Sequence, residues 1–122
     1  MTSKTLTIAP EYLSFYIAGS HEVEVPLDMD KRGIVSSEEC IKVPCLYWND
    51  GDTLVTVGDV GDVNAASSPA FDGLLATPHG GVLLFDANSP ELLRWPVTGM
   101  RTRIQIWINH PTEPDEITIA IG

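Results

Sequence analysis

The chain has 122 residues, of which 43 % are hydrophobic, and carries 17 Asp and Glu against 7 Lys and Arg, a formal net charge of -10. One domain spanning 1–122 is the expectation at this length, with a core large enough to hold it without metal or disulfide. So acidic a surface repels nucleic acid and anionic membranes, and it favours basic partners or simple solubility.

Residues 5–9 (Thr-Leu-Thr-Ile-Ala) alternate and read as a first strand. Residues 12–18 are aromatic-rich: Leu13, Phe15 and Ile17 share one face, Tyr12, Ser14 and Tyr16 the other. After the turn at Gly19-Ser20, residues 21–25 (His-Glu-Val-Glu-Val) return as a strand with Glu22 and Glu24 on its outer face. Residues 26–33 form a polar connector with Asp28 and Asp30. Residues 34–39 read as a helical turn or a loop, since Ser36-Ser37-Glu38-Glu39 resembles a helix start. A strand over 40–47 is interrupted by Pro44, which suits an edge or a bulge.

Asn49-Asp50-Gly51-Asp52 is a turn signal, and residues 53–57 follow as a strand. The longest loop runs over 58–69, and 70–76 is either a helical turn or a short strand. Pro78-His79-Gly80-Gly81 turns the chain into the apolar strand 82–86, and 91–96 pairs back or bends. The clearest stretch is Arg101–Ile108, with Ile104, Ile106 and Ile108 on one parity and Arg103, Gln105 and Trp107 on the other; it is taken as the central strand. Residues 116–121 place Ile117, Ile119 and Ile121 on one face and close a hairpin with it. Seven to nine short strands predict an all-β, single-domain antiparallel β-sandwich. No charged start followed by an apolar run opens the sequence, and no segment reaches the roughly twenty apolar residues that span a bilayer. A cytoplasmic location is expected.

Chemistry has little to build on. Cys40 and Cys45 would point to opposite faces of a strand, and His21, His79 and His110 lie too far apart in sequence to suggest a zinc site, so the thiols read as small buried hydrophobes. Asp50, Asp52, Asp59 and Asp62 fall close together, with Asn49 adjoining, but their spacing is not that of a calcium loop and suits turn chemistry. There is no nucleophile elbow and no phosphate-binding glycine loop. The expectation is therefore a non-enzyme, with no metal and no cofactor. Trp95 reads as core, while Trp107, on a polar parity, reads equally as core filler or binding anchor.

The acids are the remaining signal. Residues 11–72 hold twelve of them against Lys31, Arg32 and Lys42, whereas Arg94, Arg101 and Arg103 come late. Such a field attracts the cationic cleft of a nuclease or another nucleic-acid-binding protein. The run Leu6-Thr-Ile-Ala-Pro-Glu-Tyr-Leu-Ser-Phe-Tyr16, then Gly81-Val-Leu-Leu-Phe85, a Trp-Pro bend and Ile106-Trp107, resembles the competence protein J family of small acidic nuclease inhibitors. The resemblance is a pattern of strands and aromatics over about half of the chain. It does not extend to 26–69, so it transfers no inhibitory residue. What it implies is binding and inhibition of a partner nuclease.

The expected function is thus occlusion of a basic protein by a nuclease inhibitor or immunity-type module. Glu22, Glu24, Asp28, Asp30, Asp59 and Asp62 would stand in for phosphates, and Trp107 or Tyr16 would anchor. The alternatives are a small-molecule or carbohydrate-binding β-domain and a structural subunit.

Overall fold

The computed structural model describes residues 3–9, 14–20, 33–46, 48–59, 68–86, 91–110 and 114–122. The strand expected over 21–25, the connector after it, and Glu22, Glu24, Asp28, Asp30 and Asp62 lie outside the described residues.

The described residues form strands β1 (Ser3–Ile8), β2 (Ser14–Ala18), β3 (Val35–Ser36), β4 (Cys40–Pro44), β5 (Thr53–Asp59), β6 (Phe71–Ala76), β7 (Gly81–Phe85), β8 (Leu93–Pro96), β9 (Arg101–Ile108) and β10 (Glu116–Ile121). They build two five-stranded sheets, ordered β1-β5-β10-β9-β6 and β3-β4-β2-β7-β8. The fold is the expected all-β sandwich. No described helix is long and apolar enough to cross a membrane.

Alternation drives the architecture. In β9, Ile104 and Ile106 are fully buried while Arg101 and Arg103 are exposed. The partners follow the same parity: Ile117 faces Ile108 and Ile119 faces Ile106 across the hairpin, and Val55 and Val57 continue the rows on β5. From the second sheet Phe15, Ile17, Ile41, Val43, Val82 and Leu84 point back into the same core. Removing so many branched side chains from water is what holds the two layers face to face.

Four details differ from the sequence reading. The described strands number ten, because the ambiguous 70–76 is an edge strand and because the two-residue β3 appears. The supposed helix start is the tip of the β3–β4 hairpin: Ser37 Oγ accepts the N–H of Glu39 at 3.3 Å and of Cys40 at 3.2 Å. A helix N-cap uses the same serine-to-backbone bonds, which is why the two look alike in sequence. All described pairings are antiparallel except β5 with β10, which is parallel; β6 and β10 are both antiparallel to β9, so β5, β6 and β10 run in one direction. Finally, β9 is interior, but the middle of its sheet is β10.

The Pro44 reading holds. β3 pairs with β4 only as far as Lys42, so Pro44 stands where β4 has become an edge. Both cysteines are free and fully buried, Cys45 in the shared core and Cys40 on the outward parity of its sheet.

Candidate functional site

The two ends of the sandwich carry different clusters of charged side chains. At one end, where β5 and β10 begin and β9 finishes, stand Asp50, Asp52, Asp115 and Glu116, all exposed. A 3-10 turn over Trp48–Asp50 and Gly51, at φ +139°, lead the chain into β5. That φ is the region where glycine carries no steric penalty, so the turn signal in the sequence was a real backbone requirement.

Asn109 organises the neighbouring loop. Its Nδ2 donates to Asp115 Oδ1 at 2.6 Å, and its Oδ1 accepts the backbone N–H of Asp115 at 3.1 Å and of Glu116 at 3.2 Å. The carbonyl of Asp115 accepts from Leu54 N–H at 2.8 Å, and that of Pro114 from Leu46 N–H at 3.0 Å. Asp115 and Glu116 are therefore held in place where β10 begins. Among the described residues no Lys or Arg lies on the loops that carry them.

The opposite end holds Lys4, Arg101 and Arg103. Arg103 makes a two-pronged bond to Asp72, Nε to Oδ1 at 2.9 Å and Nη2 to Oδ2 at 2.6 Å. This partnership holds the Asp72 carboxyl below its usual range and pushes the guanidinium of Arg103 up. Beside them a cleft of about 410 Å³ opens between the sheets, lined by Asp59, the 96–99 connection, Arg101 and Arg103 among others.

Of the expected site residues that are described, Tyr16 lies on β2 with its ring 5.4 Å from that of Phe85, and Asp59 and Trp107 are not neighbours. Asp59 lies on the inward parity of β5, and its Oδ1 accepts the indole N–H of Trp95 from the other sheet at 3.1 Å. Trp95 is 5 % exposed and belongs to the core, as its sequence context suggested. Trp107 is half-buried on the outer face, in register with Thr118, which faces Thr56 and then Thr5. Three rungs separate the two residues, about 10 Å along the strands. Asp52 and Asp59 likewise sit at opposite ends of β5, about 23 Å apart at the usual strand rise, and cannot share an ion. Among the described residues there is no group of three or more His, Cys, Asp and Glu placed to hold a metal.

The acidic loop was missed in the sequence. Its signal is the pair Asp115-Glu116 directly after a proline-containing turn, next to the Asn109 that closes β9. Thiol chemistry is disfavoured: burial first, then the nearby Glu39 or Asp86 carboxylate, pushes Cys40 and Cys45 up to about 12. Neither forms appreciable thiolate at neutral pH.

Neither the protein-family models nor the curated proteins match the chain. Among solved structures it is similar to ComJ, inhibitor of the DNA degrading activity of NucA, from Bacillus subtilis, with a TM-score of 0.68 and 12 % identity over 98 % of this chain and 96 % of that one. A second solved chain, crocagin biosynthetic gene J, is 10 % identical over 98 % of each chain, with a TM-score of 0.47. The likeness seen in scattered strands of the sequence is thus a likeness of the whole fold, and in that fold the chain resembles ComJ from one end to the other.

Proposed function

We propose that the protein is a non-enzymatic, acidic protein-binding module of the nuclease-inhibitor type, acting on a basic partner. The observation that carries this reading is the whole-length similarity in fold to an inhibitor of a DNA-degrading activity. The formal charge of -10 supplies the physical direction. A nuclease must present cationic groups to DNA phosphates, and a field of fixed carboxylates competes for those groups.

In this reading Asp50, Asp52, Asp115 and Glu116 form one part of the acidic docking face. Glu22, Glu24, Asp28, Asp30 and Asp62 are proposed to add to it, with Trp107 as an apolar anchor. Asp59 has a second duty, since it also holds the Trp95 indole. Attraction of this kind speeds encounter more than it tightens the final complex, and salt weakens it.

The test is a pull-down from the source organism's lysate at low salt, eluted with rising salt, followed by a DNA-cleavage assay of whatever nuclease is recovered. The expected result is one basic nuclease whose cleavage of DNA stops on titration with the protein, less effectively as salt rises. Recovery of no nuclease, or of one that cuts DNA equally fast with the protein present, overturns the proposal.

A further inference from the structure

A β-sandwich has four sheet edges, and an open edge invites pairing unless something blunts it. Three edges here are blunted. β3 is only two residues long. β8 carries Arg94 and ends in Pro96. β1 places Lys4 opposite Val57, on the parity that points inward, which is a known way to discourage strand addition.

β6 differs. It contains no Lys and no Pro, its one charge is neutralised by the Arg103–Asp72 pair, and Leu74 on its outer face is 59 % exposed. Its hydrogen-bonding parity can be read directly. Thr77 N–H donates to Met100 O, on the β9 side, at 2.9 Å, whereas Ala76 N–H donates away from β9 to Glu38 O at 2.8 Å. Alternation along the strand then directs the N–H and C=O of Asp72 and Leu74 outward. Beyond them the edge is closed by Glu38 and by Gly19, which packs against the Ala76 carbonyl. Among the described residues the open stretch is short and defined.

Next to it is a cleft of about 260 Å³ lined by Glu38, Leu74, Ala76 and Arg101. Arg101 makes no ion pair among the described residues.

We infer that the β6 edge is a strand-addition site for an extended segment of another protein, one that sets an apolar side chain beside Leu74 and a carboxylate beside Arg101. A second copy of this chain fits poorly. Each copy carries -10, and the only carboxylate on β6 is already bound to Arg103. This inference does not rest on the proposed acidic docking face, which is built mainly at the other end of the sandwich.

The experiment uses the folded protein and a short synthetic peptide of alternating Val and Thr with one central Glu, followed by amide hydrogen exchange. Controls are the same peptide with Lys for Glu and with N-methylated backbone positions. The amides of Asp72 and Leu74 should exchange fast in the free protein and become protected with the Glu peptide, but not with the N-methylated one. Leu74→Pro removes only an outward N–H, so the β6–β9 ladder survives, and it should weaken binding about tenfold or more. Leu74→Lys keeps the backbone intact and should weaken binding too, which covers the case in which the proline variant fails to fold. Arg101→Glu should reverse the preference to the Lys peptide.

The inference is overturned by any of three results: no protection at Asp72 and Leu74, full affinity in both Leu74 variants, or protection of those amides in the free protein that grows with protein concentration.

Discussion

The two ends of the sandwich use carboxylates in opposite ways. At the arginine end Asp59 and Asp72 are committed within the fold, one to an indole from the facing sheet and one to Arg103. At the acidic end Asp115 is fixed by Asn109, an uncharged amide that positions the carboxylate without cancelling its charge. An acidic composition therefore does not say where charge is free to act. That depends on which acids the fold has already paired.

If the arginine end is structural and the acidic end is a recognition surface, substitutions should separate stability from association. The largest effect falls on Trp95→Ala, which removes a buried side chain and the bond to Asp59. It should cost about 3–5 kcal/mol in urea unfolding, and a loss below about 1 kcal/mol would remove Trp95 from its place as a tie between the sheets. Next comes charge reversal at the acidic end. Asp50→Lys with Asp115→Lys should slow association with the recovered nuclease about tenfold at low salt, and the difference should shrink at high salt. Stopped-flow mixing measures it, and unchanged rates would detach this end from recognition. Asn109→Ala should cost about 1 kcal/mol by loosening the loop, measured as a shift in the urea midpoint.

The last effect concerns the thiols; it is absent at neutral pH and appears only in alkali. Both thiols are raised in the native state from the ordinary 9.0 to about 12. Above pH 9 the unfolded chain ionises its thiols while the native protein does not, so unfolding releases protons. Stability from this source is complete below that pH and declines as pH climbs towards 12. The urea midpoint should fall over this window, and less steeply in the Cys40→Ala, Cys45→Ala double variant. Equal slopes in the two proteins would assign the decline to other groups.

Much of this fold was legible because period-two alternation fixes which side chains face inward. Ile104, Ile106, Ile117 and Ile119 needed no more than that. The 34–39 segment stayed open between a helical turn and a loop because a serine that caps a helix and one that closes a hairpin make the same local bond, and only pairing with β4 selects the hairpin. The site was less legible. Asp52 and Asp59 look close in sequence but are separated by a whole extended strand, whereas Asn109 and Glu116 meet only because β9 and β10 fold back on each other. Free carboxylates follow from pairing between elements, and pairing is not written in local pattern.

The parallel ladder between β5 and β10 has a consequence for how the molecule forms. β10 lies between β5 and β9, so its sheet can close only once β10 has inserted, and until then β5 and β9 each expose an unpaired side. The β9–β10 hairpin can assemble early from local contacts, while its docking onto β5 must wait for a long loop to close. Refolding followed by stopped-flow tryptophan fluorescence should therefore run in milliseconds to seconds, and microsecond refolding would contradict a closure-limited step. The central position of β10 makes this sheet a late product of folding, and its half-built form is the state most prone to pair with the wrong chain.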